Sequence, residues 1–591
     1  ILAQGSGLSL SCLFLHFVEF PYLQIFPLMA TSKTVVAMVL LGASLLGIAN
    51  GHAFLKANHL SRQERISEEE IQTSLLAEVE GTFGSGSATS RLKQMEVALT
   101  PMFAALPKNE HGYLGRATVR YALHRLFVQR HGWLINGLHA AGGHRNSTST
   151  AGLLKEHVPA YVQDLFEKRL GGRGFGLHEL GVLAATIEHL VHNEAVARLG
   201  DALKLHSLLP TSTMNASEVD SVLDTYMTGY ILGENLLNMT VEEAFKAVAE
   251  MPDVFMAWNA TQEFVRGVRQ NIARDESSAE QRASGTLDFS LVVRVAERVG
   301  EQFGRFQDHE CQQIKAGLMA KEEAGTGRVR LSDFWKDAHD NPDGAWQFGE
   351  SLNYLRQLGV LDESDSRNPR VMIANYISSP SNCIASSSFY SVCCMDECEA
   401  LIGHLEKEIA APEARVERIA AVITNLPSSS IAVPRTLSKS LLNRLEEIAV
   451  GHGGAVQLHG RLFAQWMHHA YPRECPYPHV SGTTNPQTPD EWMESGEDTF
   501  ATAEEMRGII DQERNETETL DLDSLPWSPE EELLVVRPLP MESTAGKGAS
   551  TTRTIRGILM FMAMSTMIYS MLRRSAVPSA SYRSRPEKLF V

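Results

Sequence analysis

Cys383, Cys393, Cys394 and Cys398 crowd one end of a stretch that closes with His459, His468, His469, Cys475 and His479. Thiolates and imidazoles are zinc ligands, and Cys394, Cys398, His459 and His479 are the set that such an ion would take. The same sulfurs form disulfides in an oxidising compartment. The chain has seven cysteines; setting aside Cys12 in the extreme N-terminal segment, these with Cys311 number six, an even count that permits three bridges. Adjacent Cys393 and Cys394 are expected to pair outward to different partners, because a bridge between neighbours is strained. That would tie the Cys383–Cys398 region to Cys475 or Cys311. Disulfides are the preferred reading, and a bridged Cys475 removes the nucleophile from a Cys475–His479 pair. His459, His468 and His469 fall on an expected helix over Leu458–Ala470. Nine residues put His459 and His468 on opposite sides of that helix, so they do not form a helical metal pair.

A second chemistry is calcium. Glu322 to Asp333 reads EEAGTGRVRLSD and is followed by Phe334. It resembles an EF-hand loop, with Gly327 at the sixth, turning place, Val329 at the eighth and Asp333 at the twelfth. The candidate calcium residues are Glu322, Thr326, Arg328 and Asp333, while Ala324 leaves the third ligand place without an oxygen. Lys168 to Glu179 resembles a more decayed copy. Phe175 and Glu179 match the eighth and twelfth places, but Lys168, Leu170 and Gly172 replace the ligands. The resemblance implies paired helix–loop–helix units that keep their turns and have lost their ion.

Two further histidine patterns read as structural. Glu188-His189-x-x-His192 lacks the first histidine of the zinc-protease motif, and His124 and His131 share one face of a helix. No nucleophile elbow, phosphate-binding glycine loop or dinucleotide fingerprint is present.

The elements that must position these residues are helices. Val119–His131 carries apolar residues at helical spacing and ends at Gly132. Thr240 and Glu243 have capping-box spacing. Further helices are expected over Glu301–Lys321, Trp346–Leu358, Cys394–Ile409, Pro412–Leu426 and Leu437–Val450. The fold class is all-α: a multi-helix ectodomain with EF-hand-like helix–loop–helix pairs, a disordered acidic stalk and a C-terminal transmembrane helix. Its expected divisions are a leader and signal peptide (1–53), a helical domain with the degenerate turns (90–345) and a Cys/His-rich helical domain (346–484). An acidic stalk (485–555), a membrane helix (556–573) and a basic cytoplasmic tail (574–591) follow. The stalk is poor in aromatics and rich in Asp, Glu, Thr, Ser and Pro, a composition that buries too little apolar surface to offset ordering, with a short helix expected near Ala503–Gln512.

The apolar run Val35–Ile48, after Lys33 and before Gly51-His52-Ala53, reads as a signal sequence. Gly557–Leu572 is uncharged and is followed by Arg573 and Arg574, which favours a single-pass anchor with a cytoplasmic C-terminus. Asn146, Asn215, Asn238, Asn259 and Asn515 each head an N-x-S/T triplet suited to glycosylation in the secretory pathway. The net charge of -18 argues against nucleic acid as a partner.

Residues 113–133 (YLGRATVRYALHRLFVQRHGW) and 376–483, including YSVCCMDECEALIGHLE and HGRLFAQWMHHAYPRECPYPHVSGT, resemble an uncharacterised family of secreted, dinoflagellate-type algal proteins. The likeness carries no activity. The expected function is therefore a non-catalytic, membrane-anchored protein of the secretory pathway or cell surface with a binding or scaffold role and a protein partner. A metal- or thiol-dependent enzyme and a calcium-responsive regulator are the alternatives, with zinc or calcium as their cofactors.

Overall fold

The computed structural model describes residues 87–135, 174–323, 325–340, 348–384, 389–512 and 525–534, with single positions 138 and 387. The expected signal segment, membrane helix and basic tail lie outside the described residues, as do Asn146 and Asn515. Among the described residues the chain is mostly helical, and no helix is long and apolar enough to cross a membrane.

One arrangement recurs along the chain. Helices α1 (Ser87–Ala105) and α2 (Arg116–His131) flank a turn in which Leu114 exchanges both backbone hydrogen bonds with Phe175, 2.9 Å each way. Strand β1 (Trp133–Ile135) follows α2, and α3 (Leu177–Leu205) begins two residues past Phe175, just as α2 begins two past Leu114. Next come β2 (Met214–Asn215), α4 (Ala216–Leu232), α5 (Val241–Val254), α6 (Trp258–Glu276) and α7 (Ala279–Ser284). Strand β3 (Thr286–Leu287) then pairs antiparallel with β2, Leu287 facing Met214, and leads into α8 (Phe289–Met319).

The third instance joins β4 (Arg328–Arg330), before α9 (Leu331–Asp340), to a segment beginning with α10 (Leu352–Leu358) and β5 (Leu361–Asp362). There β6 (Arg370–Met372) precedes α11 (Ile373–Ile377) and lies between β4 and β5, with Val329 facing Val371. Strand β7 (Tyr390–Val392) returns to β1. Finally, β8 (Glu413–Ala414), between α12 (Glu397–Ile409) and α13 (Val416–Thr424), faces β9 (Val456–Gln457), between α14 (Lys439–Gly451) and α15 (Arg461–Ala470).

Four ladders thus join eight turns, and in seven of them a helix starts two residues beyond the facing residue. Capping explains that interval. The residue between ladder and helix is the N-cap, and at Asn215 and Asp288 its side chain accepts first-turn N–H groups. Such a cap stabilises a helix by about 1 kcal/mol.

Three apolar cores result. The first gathers Leu123, Val191, Tyr226, Val292 and Phe303, and Trp133 and Val392 of the β1–β7 ladder join it. The second gathers Leu318, Val329, Trp335, Leu355 and Val371, so it spans the expected division at 345/346. The third gathers Leu405, Ile423, Leu445, Trp466 and Tyr471. Helix α8 runs from the first to the second, contributing Phe303 to one and Leu318 to the other.

The expected disordered stalk is corrected over 485–512 and 525–534. Helix α16 (Pro489–Met493) forms there, α17 (Ala503–Gln512) forms where a short helix is expected, and Trp492 and Met506 enter the second core. Phe500 bridges to Glu350, and Leu533 bridges to Gly460. Buried Arg461 donates to the carbonyls of Ser528, Glu530 and Pro478 at 2.6–2.9 Å. A few widely spaced apolar anchors and one guanidinium hold a segment whose average composition argues against order.

Candidate functional site

The Cys/His stretch assembles as three disulfides: Cys311–Cys394, Cys383–Cys393 and Cys398–Cys475. The first joins α8 to the segment before α12, and the last joins α12 to the turn after α15. The zinc set is thereby corrected. Cys394 and Cys398 belong to two different bridges, and the two histidines are engaged elsewhere. His459 lies just before α15 rather than on it, and its Nε2 is 2.8 Å from Glu406. His479 donates from Nε2 to the Gly359 carbonyl at 2.6 Å. Among the described residues, no group of three or more His, Cys, Asp or Glu side chains converges on a metal position.

Glu406 sits in a buried charge cluster. Arg125 of α2 donates to Glu406 at 2.5 Å and also to Glu399, joining the first core to the third. Burial alone would lift the Glu406 carboxyl, but Arg125 and His459 outweigh it and hold it below the ordinary carboxylate value. Nearby Asp396 is pushed up to about 7, first by burial and then by Glu399.

Glu188 and His192 are both buried beside α8 and strand β1. Glu188 lies 3.1 Å from His131 Nε2, and His131 stacks on Trp133 with ring centroids 4.1 Å apart. His192 is 3.4 Å from Glu301 of α8. The three exposed sequon asparagines that are described lie on or beside helices: Asn215 caps α4, Asn238 ends a single 3-10 turn, and Asn259 opens α6.

The turn before β4 is the most informative part. Gly327 has φ +70°, and a Cβ there would lie 2.2 Å from the Pro472 carbonyl oxygen, so a second segment presses on the turn. One carboxylate oxygen of Glu322 accepts from the Gly327 N–H at 2.5 Å. The other accepts from Arg473 Nε at 2.7 Å, and the Glu322 side chain is only 3% exposed. The calcium set Glu322, Thr326, Arg328 and Asp333 is therefore corrected. Thr326 turns its hydroxyl to the Glu323 carbonyl, and Asp333 is exposed on α9. Arg328 is itself a buried cation, donating to Asp362 at 2.6 Å.

Arg328 also donates to His468 Nε2 at 3.3 Å, while His468 Nδ1 donates to the Cys475 carbonyl at 2.7 Å. That pair of bonds requires neutral imidazole. Burial, then Arg328, accordingly holds His468 well below the ordinary histidine value. The facing turn is clamped by the same strap, because Asn375 exchanges hydrogen bonds with the Tyr477 backbone at 2.7 and 3.0 Å. Residues 472–479, pinned by Cys475, thus grip both turns of one pair.

No protein-family model, curated protein or solved structure matches this chain.

Arg473 and Tyr477 escape sequence reasoning because their partners are 151 and 102 residues away. The partner turn at 364–375 left a weak signal, an apolar Val371 two residues before a helix start. Chemically, the arrangement immobilises: the sulfurs are oxidised, and the strap and charge cluster bind elements together.

Proposed function

We propose that this chain is a non-catalytic binding or scaffold protein of the secretory pathway, anchored by 556–573, whose body is built of EF-hand-like pairs that need no calcium. The observation that carries this reading is the Glu322 carboxylate, saturated by the Gly327 N–H and the Arg473 guanidinium. In an EF-hand the first acidic residue and its neighbours hold the ion; here a side-chain cation neutralises that acid.

The recurring geometry supports the EF-hand-like part. Counting each ladder residue as the eighth of a twelve-residue loop places loops at 107–118, 168–179, 207–218, 280–291, 322–333 and 364–375. Gly112, Gly285 and Gly327 then occupy the sixth place, and all three have positive φ. The ligand places do not follow: Pro107, Leu209 and Lys168 stand where oxygens are required. The three disulfides fit an oxidising compartment.

The test is thermal unfolding of the purified protein with millimolar calcium or with chelator. Equal midpoints are expected, because a ligand that binds only the folded state would raise the midpoint by mass action. Arg473→Ala is expected to cost about 2 kcal/mol by stranding a buried carboxylate. A saturable, calcium-dependent rise in the unsubstituted protein overturns the reading.

A further inference from the structure

The strap at 472–479 is held unevenly. Glu474 and Cys475 are buried, and Cys475 is bridged to Cys398. Residues 476–479 are half-buried and belong to no helix or strand. Polar contacts hold them: Tyr477 exchanges hydrogen bonds with Asn375, the Pro478 carbonyl accepts from Arg461, and His479 donates to the Gly359 carbonyl at the end of α10. His468 of α15 holds the hinge, donating from Nδ1 to the Cys475 carbonyl. That carbonyl belongs to the peptide joining 475 to 476, so a turn about Cys475 breaks this bond while the disulfide stays.

Both imidazoles sit where a second proton is unwelcome. His468 is fully buried and its Nε2 accepts from Arg328 at 3.3 Å, so protonation would set two donors against each other. Asp362 does not balance the new charge, because it is already paired with Arg328 at 2.6 Å and takes the Ser364 N–H at 3.1 Å. The other groups around this ring are Arg370 on the neighbouring strand, His469, His479 and the Tyr477 ring, 5.6 Å away and edge-on. His479 faces Arg461, Asp362 and Tyr477. Burial and then Arg328 hold His468 down; burial also lowers His479, with the Gly359 carbonyl opposing and Arg461 adding. Once the segment lifts, both rings meet water and recover the ordinary histidine affinity for a proton, about 6.5. Opening is then coupled to proton uptake: each ring that gains a proton raises the opening constant about tenfold per pH unit below that value.

We propose that residues 476–479 are an acid-released latch: hinged at the bridged Cys475, they close over the turn at 364–375 at neutral pH and lift from it as His468 and His479 take up protons. His469 stays behind, because its ring packs against Trp527 rather than against the latch. The latch needs neither the membrane anchor nor calcium independence.

The experiment is amide hydrogen exchange of the full chain across neutral to mildly acidic pH, corrected for the pH dependence of the chemical exchange rate. The Tyr477 amide, which donates to Asn375, reports the latch, and the amides of α15 report the body beneath it. Protection at Tyr477 is expected to fall between about tenfold and about a hundredfold from pH 6.5 to 5.5, for one or two protons gained, with α15 unchanged. His468→Gln and His479→Gln are each expected to remove up to about tenfold of that fall, since glutamine keeps a donor and an acceptor but takes up no proton. Unchanged protection at Tyr477 over that unit overturns the proposal, as does a loss that keeps step with α15. A parent slope that survives in both substituted proteins overturns it too. Where one variant does not fold, the other and the parent's own profile decide.

Discussion

At the scale of single residues, the fully buried His468 is held neutral. His468 donates to the Cys475 carbonyl through Nδ1 and accepts from Arg328 through Nε2. Its folded pKa lies below the unfolded 6.5, so its contribution to stability is complete above that value and is lost as pH falls. His469, held at about 4 by burial and Arg328, adds in the same direction, whereas Asp396, raised by burial and Glu399, opposes it. His468→Gln keeps a donor and an acceptor but takes up no proton. It is expected to remove up to about 1.4 kcal/mol per pH unit from the acid slope of stability, measured by urea unfolding below pH 6.5. A slope equal to the parent's counts against a neutral buried His468. The cysteines were legible at this scale because the six that remain without Cys12 are an even number, which permits three bridges in an oxidising compartment. Which sulfurs join was not, since two of the pairs close separations of 83 and 77 residues.

At the scale of elements, the helices were legible from apolar spacing and from caps such as Thr240 with Glu243. The ladders were not. Alternation needs four or more residues to register, and these strands have two or three. What remained readable was a glycine two places before an apolar residue, as at Gly285 and Leu287, and only one such turn was read with its ligand places. The tightest point in this layer is Gly327, where positive φ coincides with the Pro472 carbonyl. Gly327→Ala is expected to destabilise by at least about 1–2 kcal/mol for the left-handed backbone alone, with the steric contact adding to it. Chemical denaturation measures this; a change below half a kilocalorie would mean that the strap does not press there.

At the scale of the whole molecule, three cores are stitched by bridges and by buried ion pairs such as Arg125 with Glu406. On the chain-entropy account, the loop of 77 residues closed by Cys398–Cys475 is worth about 4.5 kcal/mol and the loop of 10 closed by Cys383–Cys393 about 2.7. Replacing both cysteines of each pair by alanine is expected to rank the variants in that order by melting midpoint. The reverse order would mean that local packing around Cys383 outweighs loop closure. Composition misjudged the acidic segment at this scale, because the average over 485–555 conceals Trp492, Phe500 and Met506, the anchors that matter.

The strap has a further consequence for biosynthesis. Glu322 leaves the ribosome 151 residues ahead of Arg473, which at ordinary elongation rates is a wait of roughly ten seconds. During that interval Glu322 has its carboxylate without its guanidinium, and the cations at hand are solvent ions. Until Arg473 follows, only a mobile counter-ion can balance that carboxylate; in the folded chain a tethered guanidinium does so, on a strap that the Cys398–Cys475 bridge holds.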